Sequence, residues 1–560
     1  MLLEKPWLSK YPKEIPPHID YEDKPLFAFL EESASNAPEK IAVHFLGKEI
    51  TYKELYQSSL KLANYLYKLG VQKGDRVSIM LPNCPQAVIS YYGVLLAGGI
   101  VVQTNPMYTE RELQFQLDDC GARWIICLDL LYPKVVKVKA STKIDHIIVT
   151  SISDYLPFPK NIIYPFIQKK QHGIKVVVTH GDKTHLFKNA LVSSSTEKIP
   201  LEINPKEDLA LLQYTGGTTG QAKGVMLTHY NLVANTTMCI HWMYKMKKGE
   251  ERVLGILPFF HVFGMTVVMN LTIMHESKMI LLPKFDVNDT LKTIEKQKPT
   301  IFPGAPTIFI ALLNHPDIVD YDLSSIDSCI SGSAPLPIEI QENFEEITGG
   351  KLVEGYGLTE ASPVTHANFL WDIPRVKGSI GVPWPDTEAF ILSLEKNGPA
   401  GPNEIGEIVV KGPQVMKGYW NRPEETAVSF FDGEWLLTGD LGYMDESGYF
   451  YIVDRKKDMI IAGGFNIYPR EIEEVLYEHE SIKETVVVGI PDAYRGETVK
   501  AFVVLKENMT VTTEELENYC RKYLAAYKVP RIFEFRKELP KTAVGKILRR
   551  VLIEEAKKEM

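Results

Sequence analysis

Over the first 380 positions, short runs of consecutive apolar residues alternate with longer segments whose apolar positions recur every three or four residues. The runs at 76–80, 100–103, 124–128, 147–150, 209–214 and 279–282 are rich in β-branched side chains and too short for helices. They lack the in–out polar alternation of half-buried strands, so they predict strands of parallel sheets covered on both faces. The intervening segment 54–69 carries Leu55, Leu62, Leu66 and Leu69 at helical spacing and meets Gly70, which predicts a helix stopping there. No charged side chain occurs from Val77 to Thr109, but Pro82, Pro85, Pro106, Asn83, Gln86 and the Gly98-Gly99 pair interrupt that stretch. Its apolar run, 87–102, is shorter than the ~20 residues of a spanning helix. A buried helix followed by a buried strand is predicted instead.

After Gly381 the pattern changes to short strands separated by Gly and Pro turns, at 406–411, 418–420 and 448–453. A charged knot, Asp454-Arg455-Lys456-Lys457-Asp458, precedes a last segment with strands at 485–489 and 500–505 and a helix at 514–524. The expected fold class is α/β: a large N-terminal domain of doubly wound sheets plus a β-rich subdomain, then a small α+β C-terminal domain. The expected division is 1–453, a hinge at 454–457, and 458–560. Region 151–195, with its aromatics, prolines and lysines, reads as an excursion from the regular alternation.

Composition narrows the function. The chain has 560 residues, 45% hydrophobic and 24% charged, which excludes disorder and fibrous classes. Its net charge of −9 argues against bulk nucleic-acid binding. Six scattered cysteines without a C-x-x-C pair make neither a disulfide framework nor a zinc cluster, so a reducing, cytoplasmic setting is expected. The first residues, Met-Leu-Leu-Glu-Lys-Pro-Trp, lack the apolar core of an export signal.

The densest chemical signal is Tyr214-Thr215-Gly216-Gly217-Thr218-Thr219-Gly220-Gln221-Ala222-Lys223-Gly224, between the 209–214 strand and a helix expected near Thr228. Glycines let backbone N–H groups turn inward, while threonine hydroxyls and a lysine add donors, a composition suited to phosphate oxygens. It is not a Walker A loop, because no Gly-Lys-Ser/Thr follows at the required spacing.

This loop resembles the phosphate-binding signature of the acyl-adenylate-forming enzymes, the superfamily of acyl-CoA synthetases, luciferases and peptide-synthetase adenylation domains; Ala222 replaces the usual proline. Further motifs follow in family order. Pro258-Phe259-Phe260-His261-Val262-Phe263-Gly264 resembles the aromatic-histidine segment beside the carboxylate substrate. Ser331-Gly332-Ser333-Ala334-Pro335-Leu336 resembles the adenine-side loop. In Tyr356-Gly357-Leu358-Thr359-Glu360 the resemblance implies that Tyr356 flanks adenine, Thr359 contacts the α-phosphate and Glu360 binds Mg²⁺, with Thr215 as a second metal-side residue. Asp440 resembles the ribose-binding aspartate and Arg455 a second ribose contact. Lys457 falls at the family's hinge position. Gly463-Gly464-Phe465-Asn466 resembles the loop lining the thiol-acceptor tunnel. Lys546, in Pro540-Lys541-Thr542-Ala543-Val544-Gly545-Lys546, matches the catalytic lysine of the small mobile domain.

The 432–457 stretch resembles the signature of fatty acyl-CoA synthetases. The resemblance implies a long-chain fatty acid, ATP and coenzyme A as substrates, Mg²⁺ as cofactor, and a catalytic pair of Lys546 and His261. Phe263, Met265 and Gly304 are candidates for the acyl groove, with plain core packing as the other reading. A medium-chain or aryl-acid CoA ligase and a non-catalytic acyl-binding protein of the same fold stay open. A homodimer and a peripheral membrane contact are compatible with the sequence. For the contact, the aromatic and lysine residues of 155–170 are the candidate; a loop packed onto the large domain is the alternative.

Overall fold

The structure, a computed structural model, describes residues 5–172, 178, 181, 183–215, 222–462, 465–492, 495–542 and 547–559. Among the described residues the strands form four sheets. In the first, Thr184–Leu186, His146–Thr150, Trp124–Leu128, Arg76–Met80, Ile100–Gln103 and Leu209–Thr215 lie side by side and parallel. Lys223–Thr228 and Gly418–Tyr419 extend it antiparallel. In the second sheet, Ile41–Phe45, Lys278–Leu281, Arg252–Gly255, Ile301–Gly304, Ser328–Ser331 and Lys351–Gly357 run parallel. Antiparallel strands close both of its edges.

The charge-free stretch becomes the helix Pro85–Leu96, buried at every position, followed by the buried strand Ile100–Gln103. One continuous core, including Val77, Tyr91, Val101, Val253 and Ile280, joins the two large sheets. No helix among the described residues is long and apolar enough to cross a membrane. All six cysteines are buried and free. The leucine-spaced helix runs from Tyr52 to Lys68, two residues earlier than its leucines suggest, because Thr51 and Glu54 form a reciprocal cap.

The third sheet is antiparallel and carries Glu388–Ser393, Gly406–Lys411, Trp435–Met444 and Phe450–Arg455. The fourth lies beyond the charged knot. Ile482–Asp492 and Gly496–Leu505 form its long hairpin, and Ile532–Arg536 adds in parallel. Its two faces bury separate clusters, Val487 and Ala501 on one side, Val486, Val488 and Phe502 on the other. That is the side-chain alternation of a sheet covered twice.

One local expectation is refined. The helix His229–Trp242 does start after Thr228, which caps it. A strand, Lys223–Thr228, lies between it and the glycine-rich loop, so that loop joins two antiparallel strands and does not open a helix.

Candidate active site

Register in the second sheet assembles one side of the site. Gly304 pairs with Ser331, and Ser331 with Glu354, so the carboxyl ends of three parallel strands finish on one edge. Ligands of open α/β sheets bind outside such ends. Gly332 donates its N–H to the Gly304 carbonyl at 3.2 Å. A Cβ on Gly332 would sit 3.1 Å from the Phe263 ring, so the adenine-side loop and the aromatic-histidine segment touch here. Ala334 is half-buried and Pro335 exposed in the same loop. Gly357 turns so closely that a Cβ would lie 2.1 Å from the Pro363 carbonyl oxygen; only glycine fits.

The residues read as nucleoside contacts meet directly. The Tyr356 hydroxyl donates to Asp440 Oδ2 at 2.6 Å, and Arg455 Nε lies 3.3 Å from Asp440 Oδ1. Asp440 and Arg455 are cross-strand partners in the third sheet, so backbone register holds the ion pair. Burial, then the Asp440 charge, pushes the Tyr356 phenol well up, so it remains a donor. Each carboxylate oxygen of Asp440 keeps lone-pair capacity for a diol.

A second corner gathers the phosphate-side residues. Thr215 and Lys223 are paired across the hairpin that carries the glycine-rich loop. Lys223 Nζ forms an ion pair with Glu425 and lies 5.0 Å from the centre of the Tyr419 ring. The Tyr419 hydroxyl donates to Glu360 Oε1 at 2.8 Å, and the Glu360 carbonyl accepts from the Met416 N–H. The segment bearing Tyr419 and Glu425 is tied to the hairpin through Asp119. That carboxylate accepts from the Tyr214 hydroxyl at 2.6 Å and from Arg422 Nη2 at 2.8 Å. Thr359 precedes Glu360 in a short 3₁₀ turn. Glu360 keeps its Oε2 oxygen, and the Thr215 hydroxyl offers another hard donor on this side. A Mg²⁺ ion that takes its remaining ligands from water and substrate phosphates fits such a donor set.

His261 is held by backbone bonds, from its N–H to the Pro258 carbonyl and from the Met265 N–H to its own. Burial pushes its imidazole down to about 4, so it is neutral near pH 7. It can line a carboxylate site or donate one N–H, and it brings no positive charge. Asn83 fastens the approach to this segment, donating to the Gly255 and Leu257 carbonyls and accepting from the Phe259 N–H at 2.9 Å. Gln213 donates to the Phe260 carbonyl at 2.7 Å. A π-helix, Gly264–Asn270, follows. Such widened turns concentrate at functional sites. Met265 within it is fully buried, while Phe263 is half-buried.

Lys457 lies exposed in the turn after Phe450–Arg455, beside Lys456, which bonds Glu407 at 2.8 Å. Asp454 accepts from the Arg470 N–H at 2.8 Å, at the first helix beyond the turn. Phe465 is exposed on one side and stacks on Tyr527 at 4.6 Å. Gly216, Gly217, Thr218, Thr219, Gly220, Gly463, Gly464 and Lys546 lie outside the described residues. Just after Lys546, Arg549 anchors the last helix through the Val487 carbonyl and Glu473.

Sequence reasoning had missed Tyr419, Glu425, Asp119 and Gln213 as parts of the site, and had taken Asn83 only as an interruption. Asn83 did leave a signal, an amide inside an apolar stretch.

The pattern of AMP-binding enzymes matches residues 30–420, and that of the AMP-binding enzyme C-terminal domain matches 471–546. The chain belongs to the AMP-binding enzyme family. It is 61% identical over 559 residues to a long-chain-fatty-acid–CoA ligase of Bacillus subtilis (strain 168), covering 99% of both chains. It is 41% identical over 567 residues to a protein of the same description from Escherichia coli O6:H1, again over 99% of each. The crystal structure of ATP-bound MatB from Rhodopseudomonas palustris superposes with a TM-score of 0.84 at 30% identity, covering 96% of this chain and 99% of that one.

Proposed function

We propose that this chain is an AMP-forming long-chain fatty acid–CoA ligase. The observation that carries the reading is a nucleoside clamp, Tyr356–Asp440–Arg455, and a phosphate corner, Thr215, Lys223 and Glu360, joined by the short segment from Tyr356 to Glu360. Full-length likeness to two long-chain-fatty-acid–CoA ligases supports the choice of acid and thiol.

A carboxylate does not acylate a thiol by itself, because its leaving group would be oxide. In the proposed first step a carboxylate oxygen attacks the α-phosphorus of ATP, the bond to the bridging oxygen breaks, and pyrophosphate leaves with that electron pair. The protein contributes position and charge rather than covalent chemistry. Asp440 and Arg455 hold the ribose, Tyr356 flanks the base, and Lys223 with the Thr215–Gly220 loop takes the charge of the departing phosphates. Gly332, Ala334 and Pro335 complete the adenine side. Mg²⁺ held by Glu360 with Thr215 would supply further charge neutralisation for the phosphates. Lys546 bridges the carboxylate and α-phosphate oxygens. In the second step a thiolate attacks the acyl carbon and AMP leaves with the electrons of the broken acyl–phosphate bond, giving acyl-CoA.

His261, kept neutral by burial, faces the carboxylate as a wall and N–H donor, with Phe263, Met265 and Gly304 toward the acyl tail. The small domain presents Lys546 for one step and the Gly463-Gly464-Phe465 loop for the other. It rotates between them about Lys457, a hinge of very few residues. A substrate that partitions into bilayers also gives the protein reason to touch a membrane surface.

The test is a chain-length series of fatty acids with ATP, Mg²⁺ and coenzyme A, following acyl-CoA and AMP by mass spectrometry. Long saturated chains should give the highest kcat/KM. A preference for medium-chain or aryl acids would keep the reaction class and change the acid; no product from any acid would leave an acyl-binding protein.

A further inference from the structure

The excursion at 151–195 contains an inverted amphipathic helix. Lys160–His172 rests on the body through Tyr164, half-buried, and Gln168, whose amide donates to Asp129 Oδ1 at 3.2 Å. At 100° per residue these two positions share one face, Ile162, Ile163 and Phe166 make up the opposite one, and Ile167 lies on the flank between them. That opposite face is apolar and points to solvent. Phe166 is 72% exposed, Ile162 57% and Ile163 48%, and Phe158, just before the helix, is 79% exposed. A contiguous apolar stripe in water marks a surface made to be covered.

The charge around it indicates what covers it. From Tyr155 to Lys170 there are three lysines and no carboxylate, in a chain whose net charge is −9. Lys160 is engaged, donating to the Leu46 carbonyl at 3.0 Å. Lys169 and Lys170 are exposed, without an ion-pair partner among the described residues, and the helical turn places them at the end of the apolar stripe. Apolar and aromatic side chains on one face, bordered by lysines, describe a helix lying at a bilayer interface. Aromatic rings sit at headgroup level, and lysines are drawn to anionic lipid.

We propose that the Phe158–Lys170 surface docks reversibly on anionic lipid bilayers, with Phe158, Ile162, Ile163 and Phe166 entering the interface and Lys169 and Lys170 meeting lipid phosphates. The proposal rests on the fatty acid reading for its purpose, since such acids dissolve in bilayers, and not for its test. With only two free lysines the attachment is weak and salt-sensitive.

Full-length protein is floated with vesicles of phosphatidylcholine alone and of phosphatidylcholine with phosphatidylglycerol, at low and high salt. Binding is expected to the anionic vesicles at low salt and to fall at high salt. The triple change Phe158→Ser, Ile162→Ser, Phe166→Ser should lower the partition coefficient about tenfold or more. Lys169→Glu with Lys170→Glu should lower it several-fold on anionic vesicles and leave phosphatidylcholine unaffected. All five side chains are exposed, so the thermal transition and activation of a short soluble acid should stay unchanged. Absence of binding to anionic vesicles at low salt overturns the proposal. So does equal binding by the serine variant. A dimer in sedimentation velocity that the serine variant dissolves, without vesicle binding, would assign the stripe to a second copy of this chain. Vesicle binding by a protein that ligates no fatty acid would sink the proposed function and leave the docking surface standing.

Discussion

The two ends of the nucleotide site are built differently. At the nucleoside end of the proposed site, Tyr356, Asp440 and Arg455 hold one another, with the Asp440–Arg455 pair fixed by cross-strand register. At the phosphate end, Lys223 is paired with Glu425 and Glu360 with Tyr419, so groups read as ligand contacts are engaged internally. The first end is preorganised and should bind at little reorganisation cost. The second must exchange protein partners for ligand. On the proposed reading Lys223 leaves Glu425 when phosphate oxygens arrive, so Glu425 would compete for it as well as position it.

Four changes would break or sharpen that contrast. The largest effect belongs to neither end. Lys546→Ala should lower adenylate formation about 10²–10³-fold, while thioester synthesis from supplied acyl-adenylate survives. Equal loss in both half-reactions, with the fold intact, would remove the assigned role. At the preorganised end, Asp440→Ala strips the Tyr356 hydroxyl and Arg455 of their shared acceptor. KM for ATP should rise roughly tenfold to a hundredfold, the equivalent of about 1.5–3 kcal/mol for a charged hydrogen-bond partner. An unchanged KM would detach Asp440 from ATP binding.

Glu354 tests the wall behind the nucleoside end. It accepts from the Leu336 N–H at 3.3 Å, and burial pushes it up to about 7, opposed by the nearby Arg470 guanidinium. A carboxyl raised in the folded state holds its proton more tightly there than in the unfolded chain. Its contribution to stability is therefore present at low pH and lost as pH rises from the ordinary carboxylate range through about 7. Thermal unfolding of the parent protein should lose up to about 3 kcal/mol of stability between pH 5 and pH 8 relative to Glu354→Gln. Parallel curves for the two proteins would contradict the buried-acid account. The smallest effect is at the phosphate end and has the opposite sign to Asp440→Ala. Glu425→Gln releases Lys223 from its ion pair and should lower KM for ATP by about twofold to fivefold, in line with a modest, partly exposed pair. A rise in KM would show that Glu425 serves only to position Lys223.

Much of the architecture was legible in the pattern of apolar runs. The strands Ile100–Gln103, Trp124–Leu128 and Arg76–Met80 fall where their β-branched runs place them, because burial on both faces leaves a near-continuous apolar signature. Lys223–Thr228 escaped because a lysine and a glycine at its start read as the tail of the loop. The π-helix at Gly264–Asn270 has no sequence period of its own. The family motifs pointed to Tyr356, Asp440 and Arg455, and the structure joins them. The Lys223–Glu425 and Tyr419–Glu360 contacts span 202 and 59 positions. Nothing local in Tyr419-Trp420-Asn421-Arg422 announces such partners; only the pairing of Gly418–Tyr419 onto the hairpin brings them there.

The central claim, a carboxylate activated through its adenylate, is tested most directly by exchange of labelled pyrophosphate into ATP in the absence of coenzyme A. A long-chain fatty acid should switch the exchange on, and AMP should accumulate only when coenzyme A is then added. Exchange that ignores the fatty acid, or release of ADP and phosphate in place of AMP and pyrophosphate, would contradict it.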